Sequence, residues 1–176
     1  FGTFKPAGDL WDSKIRYSGW EYNWATSGGV ASNNSKMRIS GVGDLPVTIA
    51  GTSYLSTQVA NLATMITNGT LDTVYVGIGA NDIFYHMTRF DTAGNFYPDK
   101  NAVIDQAFID DIASSILAGV DTLRTAAATS GNPVHIVLGL LPPGTVNSTS
   151  ASTVAGVNAI NALLIQGAAA RGIPAV

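Results

Sequence analysis

Two short segments could stabilise the negative charge that develops on an oxygen atom during acyl transfer. Residues 26–29 read Thr-Ser-Gly-Gly, and residues 79–82 read Gly-Ala-Asn-Asp. A glycine loop offers unobstructed backbone N–H groups and an asparagine offers a fixed amide donor, which together are the components of an oxyanion hole. Each segment follows a predicted strand, and in an open α/β sheet ligands bind beyond the carboxyl ends of the strands. We therefore expect both loops to lie at the same edge of one sheet.

The elements that must position these loops alternate between helix and strand. Apolar spacing predicts helices over residues 55–66, 101–128 and 152–170, with Ser53 and Asp99 as N-caps and Gly69, Gly131 and Gly172 as stops. Runs of β-branched and apolar residues predict strands over 22–25, 71–78, 135–141 and 173–176, with a hairpin around 37–39 and 47–50. In the last helix, the apolar residues expected to face inward are Val154, Val157, Ile160, Leu164 and Ile165. This alternation predicts an α/β domain over residues 1–176, with a parallel sheet covered on both faces.

The order of these segments resembles the SGNH hydrolases, also called GDSL esterases and lipases. Residues 79–83, Gly-Ala-Asn-Asp-Ile, look like the family's G-x-N-D block, and residues 23–29, Asn-Trp-Ala-Thr-Ser-Gly-Gly, resemble its earlier glycine block. Residues 54–62 are similar to the helix that precedes G-x-N-D, and residues 142–143 and 157–158 also fit the family's order. The resemblance covers nearly the whole chain. It implies a three-layer α/β/α fold with a mainly parallel, doubly wound sheet of the flavodoxin-like type.

The resemblance also implies roles for individual residues. Gly28 would donate its backbone N–H to the oxyanion. Gly29 is the alternative, because the spacing from Asn23 to the glycine is one residue longer here than is usual in the family. Asn81 would donate its side-chain amide to the same oxygen. Asp82 would support this turn through hydrogen bonds to the backbone and would not contact the substrate. The implied chemistry is hydrolysis of a carboxylic ester by a serine nucleophile.

Two blocks of that family have no match in this sequence. The nucleophile block, Gly-Asp-Ser-Leu, is missing, since residues 8–10 read Gly-Asp-Leu, and the closing Asp-x-x-His block is missing too. We therefore expect a chain truncated at both ends, which is the central portion of a serine ester hydrolase and is inactive by itself. If the nucleophile lies within these residues, the candidates are Ser13, Ser27 and Ser53.

Other interpretations of the same residues are open. Residues 79–82 fit an ordinary strand-to-helix turn with a polar cap. Residues 77–79 begin a G-x-G dinucleotide pattern, but Asp82 stands where the third glycine is needed. His86 is interpreted as a surface histidine that could line a substrate mouth, and His135 as a structural histidine of a buried strand. The alternative function is a non-catalytic carbohydrate-binding or surface module of the same fold.

Composition limits the classes of partner and cofactor. Nine Lys and Arg against twelve Asp and Glu give a net charge of -3, which argues against a nucleic-acid partner. The absence of Cys excludes a disulfide framework and a thiol nucleophile within these residues, and no cluster has metal-ligand spacing, so we expect no metal or other cofactor. No apolar run reaches about 18 residues, so no membrane span is expected.

Few charges and abundant Ser, Thr, Asn and Gly favour an exported bacterial protein, secreted or at the cell surface or in the periplasm. Its substrate would be a small-molecule, lipid or acylated-glycan ester.

Overall fold

The computed structural model describes residues 29–47, 54–99, 101–142 and 151–176. These residues form a mixture of helices and strands with a mixed sheet, which is compatible with the predicted α/β class. In chain order the elements are β1 (Lys36–Ile39), β2 (Gly43–Pro46), α1 (Leu55–Thr67), β3 (Thr73–Val76), α2 (Ala80–His86), β4 (Thr88–Phe90), β5 (Phe96–Pro98), α3 (Gln106–Ser130), β6 (His135–Leu138) and α4 (Ala151–Ala170).

One sheet is a parallel pair of strands, β3 and β6. Strands β3 and β6 pair in register from Thr73 opposite His135 to Val76 opposite Leu138. The segment 173–176, predicted as a strand, adds a parallel bridge between Leu138 and Ala175. The backbone N–H of Val176 donates to the carbonyl of Leu138 at 2.9 Å. The parallel arrangement expected from the alternation of helices and strands is therefore present in this pair.

The second sheet has four short strands in the order β2-β1-β4-β5 and is mixed. Strands β1 and β4 are parallel, while the two outer pairs are antiparallel. The hairpin predicted here is confirmed, and its second strand is Gly43–Pro46; of the predicted range 47–50, residues 48–50 lie outside the described residues. Residues 83–98, for which the apolar pattern predicts no helix or strand, contain most of α2 and all of β4 and β5. Strands of three or four residues are too short to show a period, which explains why the pattern missed them.

Helices α1, α3 and α4 pack on the parallel pair to form the main core. The residues of this core that are completely buried include Ile66, Ile112, Ile116, Val120, Leu123, Leu138, Ile160 and Leu164. Helix α3 approaches α1 closely at Gly119, where an added Cβ would lie 2.8 Å from a methyl group of Leu55. A glycine at this position therefore sets the distance between the two helices.

Only one face of the parallel pair is covered by these helices within the described residues. On the covered face Val74, Val76 and Ile136 are buried. On the other face Tyr75 is 63 % exposed, and Thr73 and His135 are exposed as well. The expectation of a sheet covered on both faces is thus met on one face in the described residues, and His135 is an exposed residue instead of a buried structural histidine.

The start of α3 differs from the prediction. Asp99 was expected to cap a helix beginning near residue 101, but α3 begins at Gln106 and is capped by Asp105, whose carboxylate accepts the backbone N–H of Phe108 at 2.9 Å. The predicted end is confirmed, because Gly131 follows α3 with a φ of 72°, in the left-handed region that favours glycine. Asp99 is buried and forms ion pairs with Arg38 and Arg89, both at 3.1 Å.

Helix α4 is long and apolar enough, by length and composition, to cross a membrane, and it is the one such helix among the described residues. The sequence predicts no span, because polar residues interrupt its apolar run. Core helices of soluble proteins pass the same length and composition test. In the structure α4 contacts α3, and Val157, Ile160 and Leu164 are buried in the main core.

Candidate functional site

The candidate site begins at the turn that joins β3 to α2. Gly79 precedes the first residue of α2 and has a φ of 115°, which favours glycine. An added Cβ at this position would lie 3.0 Å from a methyl group of Leu141 and 3.2 Å from one of Ile116. Both the backbone conformation and the packing therefore require a glycine. This turn places Asn81 and Asp82 in the first turn of α2.

Asp82 connects α2 to the loop that follows the predicted glycine block. Its side chain is buried, and Oδ2 accepts the backbone N–H of Ala31 at 2.8 Å. Oδ1 accepts the backbone N–H of Ser32 at 3.0 Å and the hydroxyl of Ser35 at 2.5 Å. One carboxylate thus satisfies three donors that are about 50 residues away in sequence. The loop 31–35 is fixed against α2 by these bonds.

Burial raises the pKa of the Asp82 carboxyl above its ordinary value. The hydrogen bonds from Ser35 and from the backbone N–H groups of Ala31 and Ser32 act in the opposite direction, since they stabilise the charged form. The balance is a carboxylate held by donors in an environment that disfavours its charge. A buried carboxylate is tolerated when the protein supplies hydrogen-bond donors to its oxygens, as Ala31, Ser32 and Ser35 do for Asp82.

Asn81 lies beside the glycine that the sequence analysis named as the alternative oxyanion residue. Its side-chain amide Nδ2 donates to the carbonyl oxygen of Gly29 at 3.0 Å. Gly29 is buried and Asn81 is half-buried. A side-chain amide has two N–H groups, and in the described part of the chain one of them is used by this bond. The structure therefore brings Asn81 and Gly29 together at the carboxyl end of β3.

Several residues named from the sequence lie outside the described residues. These are Gly28, the three candidate nucleophiles Ser13, Ser27 and Ser53, and the predicted strand 22–25. The glycine loop is consequently described from Gly29 onward. Asn158, part of the family-like pair in the last helix, is exposed.

The histidines and serines near the site form no nucleophile–base pair within the described ranges. His86 Nε2 lies 2.8 Å from the carbonyl oxygen of Val103. The hydroxyl of Ser32 donates to Asp111 at 2.5 Å, and the hydroxyl of Ser35 donates to Asp82. His135 begins β6 and so lies at the opposite end of the parallel pair from Asn81. A serine nucleophile needs a base within hydrogen-bonding distance, and neither of these two serines has a histidine there.

Two residues important to this edge of the sheet were missed by sequence reasoning. Asp111 of α3 is half-buried and accepts hydrogen bonds from Ser32 and from Asn34 Nδ2, the latter at 3.0 Å. Asn161 of α4 bonds both backbone groups of Leu141, accepting its N–H at 2.9 Å and donating to its carbonyl at 2.8 Å. The contact of Asn161 with Leu141 could have been suspected from the sequence, because an asparagine inside an apolar helix needs hydrogen-bond partners when it is half-buried.

The chain matches no protein-family model, no curated protein and no solved structure. The interpretation of the site therefore depends on its own residues and geometry. Among the residues that the structure describes, no group of three His, Asp or Glu side chains is placed to hold a metal ion.

Proposed function

We propose that this chain supplies the oxyanion-hole part of a serine ester hydrolase of the SGNH (GDSL) type. The observation that carries the proposal is the 3.0 Å hydrogen bond from Asn81 to the carbonyl of Gly29. It joins the segment resembling the G-x-N-D block to the end of the segment resembling the glycine block, 52 residues earlier in the sequence. Asp82 fixes the same two segments through Ala31 and Ser32. Donors held in this way cost little reorganisation during a reaction, which is what an oxyanion hole requires.

The proposed reaction is acyl transfer to a serine followed by hydrolysis. The serine Oγ attacks the ester carbonyl while its proton passes to a histidine, and the carbonyl oxygen becomes an oxyanion. The second N–H of the Asn81 amide and the backbone N–H of Gly28 or Gly29 would donate to that oxyanion. The C–O bond to the alcohol then breaks, the alcohol takes the proton from histidine, and water releases the acid by the same steps. The proposal requires a serine and a histidine from the two blocks that have no match in this sequence.

The finer fold that we propose with this function is a three-layer α/β/α arrangement around a mainly parallel, doubly wound sheet. Three parallel contacts support it. They are the pairing of β3 with β6, the bridge between Leu138 and Ala175, and the bridge between Val30 and Tyr54. The last bridge is reinforced by the backbone N–H of Leu55, which donates to the carbonyl of Val30 at 2.8 Å. A sheet of this kind would place the loops after β3 and after Val30 at one edge.

The test is the esterase activity of the protein expressed from its full reading frame. Asn81→Ala should lower kcat for p-nitrophenyl acetate by about 10²–10³, the usual effect of removing one oxyanion donor. The matched control is Asn132→Ala, because Asn132 Nδ2 also donates to a backbone carbonyl, that of Ile66 at 2.9 Å, and it lies before β6 at the other end of the pair. The control should lose stability without losing turnover.

The outcomes separate the enzyme from its alternative. Wild-type-like turnover in Asn81→Ala would contradict the proposal, as would a full reading frame that contains neither Gly-Asp-Ser-Leu nor Asp-x-x-His. A full reading frame without these blocks and without esterase activity would instead support a non-catalytic module of the same fold. The 176 residues alone should not hydrolyse the ester above background.

For the location of the protein we propose export, to the medium, the cell surface or the periplasm. The support is compositional: charged residues are 12 % of the chain and Cys is absent. Fractionation of the producing cells, with immunodetection of the protein, would test the location directly.

A further inference from the structure

A cavity of about 430 Å³ lies on the side of α2 that carries Asp82 and His86. Its walls are the β1–β2 hairpin, the first turns of α3 and residues 34–35, and its volume is typical of small-molecule sites, roughly 300–1,000 Å³. We refer to it as the polar cavity. The polar and aromatic side chains that line it include Asn34, Lys36, Asp44, His86, Phe108 and Asp111. Asn81 and Gly29 do not line it, so it is distinct from the candidate oxyanion contact.

The polar cavity presents hydrogen-bond donors and acceptors of both charges. Lys36 and Asn34 are donors, and Asp44 and Asp111 are carboxylates. Asp111 already accepts two hydrogen bonds, from Ser32 and Asn34. An ionised carboxylate has about four acceptor positions, so Asp111 retains capacity for a ligand. Asp44 is exposed on β2.

This mixture selects against strongly charged and purely apolar ligands. A phosphate or sulfate would approach the carboxylates of Asp44 and Asp111, and a polycation would approach Lys36 and Arg38. An acyl chain would leave these charged groups without water or partners. A hydroxyl both donates and accepts, so a ligand rich in hydroxyl groups can satisfy cationic and anionic neighbours together.

One wall of the polar cavity is a pair of stacked rings. The centroids of His86 and Phe108 are 4.2 Å apart, and the rings are tilted by 30°. The contact of His86 Nε2 with the carbonyl of Val103 holds the imidazole in place. Both side chains line the cavity, so they add apolar surface beside the polar groups. A saccharide offers C–H groups to such apolar surface and hydroxyl groups to the polar side chains around it.

We propose that the polar cavity binds a neutral saccharide. The C–H groups of the sugar contact the side chains of His86 and Phe108, and its hydroxyl groups bond with Lys36, Asp44 and Asp111. The inference goes beyond ester hydrolysis and does not depend on it, because the residues of the polar cavity do not include the candidate oxyanion donors. A non-catalytic module with this cavity would bind the same ligand.

The experiment is saturation-transfer-difference NMR with calorimetric titration of the full chain, using cellobiose, maltose, lactose and methyl glucoside as probes. At least one probe should bind saturably to the wild-type protein. Phe108→Leu keeps apolar volume but removes the ring, and it should weaken binding about fivefold to tenfold. Asp44→Asn keeps the shape of an exposed side chain and should weaken binding as well. Circular dichroism and urea unfolding confirm that each variant is folded.

The matched control is Phe96→Leu, which removes a ring that is 52 % exposed and does not line the polar cavity. It should bind the sugar as the wild-type protein does. The proposal is overturned if no probe binds the folded wild-type protein, or if Phe108→Leu and Asp44→Asn bind as tightly as Phe96→Leu. Competition by millimolar inorganic phosphate would also overturn it, since an anion site would then be present. Loss of esterase activity in Asn81→Ala leaves the expected sugar binding unchanged.

Discussion

At the scale of single residues, Asp82 holds the candidate site in place. Its carboxylate is buried, and three donors from a distant loop converge on it. The residue pattern Gly-Ala-Asn-Asp indicated a functional turn, but the sequence did not identify the loop donors. Those donors come from residues 31–35, and pairing residues so far apart in the chain is a result of tertiary folding.

Asp82→Ala should lower the free energy of unfolding by about 3 kcal/mol. The change leaves the N–H groups of Ala31 and Ser32 and the hydroxyl of Ser35 without their acceptor, and each buried unsatisfied group costs about 1–3 kcal/mol. Relief of the buried charge offsets part of this loss. Urea unfolding followed by circular dichroism measures the difference.

The control for this prediction is Asp110→Ala. Asp110 is exposed on α3, and its carboxylate accepts one hydrogen bond, from Gln106 at 2.8 Å. Its removal should change the free energy of unfolding by no more than about 0.5 kcal/mol. Equal destabilisation by the two substitutions would show that the bonds of Asp82 do not hold the loop.

At the scale of elements, the sequence of α4 does not show which side of this helix is buried. Apolar residues occur on all sides of α4, so their spacing did not identify the buried side. Of the residues expected to face inward, Val157, Ile160 and Leu164 are buried, whereas Val154 and Ile165 are 37 % and 50 % exposed. The predictions for Val154 and Ile165 are therefore wrong. Contact with α3 decides which side is buried.

Two isoleucine substitutions on α4 test this orientation. Ile160→Ala should lower the free energy of unfolding by about 2–5 kcal/mol, because Ile160 is completely buried and its loss leaves a cavity. Ile165→Ala should lower it by less than about 1 kcal/mol, since its side chain is half exposed. Thermal and urea unfolding give both values. The reverse order would place the other side of α4 in the core.

Asp99 links β1, β4 and the segment before α3, and this link makes stability depend on pH. Burial acts to raise its pKa, but the N–H of Asn101 and the guanidinium groups of Arg89 and Arg38 outweigh burial and lower it. The unfolded chain, with an ordinary pKa near 3.9, therefore binds the proton before the folded chain does. Stability from Asp99 is present above that value and is lost as the pH falls through the folded pKa.

Asp99→Asn should make the free energy of unfolding fall less steeply than in the wild-type protein as the pH is lowered from 5 to about 3. Asp91 and Asp121, whose pKa values are also lowered, keep part of the slope. Asp82 has a raised pKa and contributes the opposite sign. Urea unfolding at a series of pH values measures the slope. An unchanged slope in Asp99→Asn would contradict the role of this ion pair.

At the scale of the whole molecule, the described residues form two cores of unequal size. The main core joins α1, α3 and α4 to the parallel pair. The second core is small and consists of Val30, Met37, Val47 and Tyr85, with partly buried neighbours that include Phe84 and Phe90. Because local stability follows buried apolar contact, the four-stranded sheet should open at a lower free energy than the main core.

Hydrogen exchange measured by NMR or mass spectrometry tests this difference. Amides of β3, β6 and α3 should be protected longer than those of β1 and β4. Asp99→Asn should speed exchange in β1 and β4, because the ion pairs with Arg38 and Arg89 are lost there, and leave β3 and β6 unchanged. Uniform protection in both sheets would show that they unfold as a single unit.

The sequence by itself determined the elements with strong local signals. Leu55 to Ile66 carries helical spacing, the predicted strands 71–78 and 135–141 contain the shorter observed strands β3 and β6, and Gly131 ends α3 where expected. It also singled out the turn at residues 79–82. These features depend on neighbouring residues, so a single sequence contains them.

Tertiary structure alone decided which residues meet at the site and which faces are covered. The hydrogen bonds of Asp82 to Ala31 and of Asn81 to Gly29 join segments about 50 residues apart. Asp99, which was predicted to cap α3, forms ion pairs with Arg38 and Arg89 instead. The exposed side of β3 at Tyr75 depends on where the helices pack. Such contacts are set by packing and by the pairing of buried polar groups, neither of which has a period along the chain.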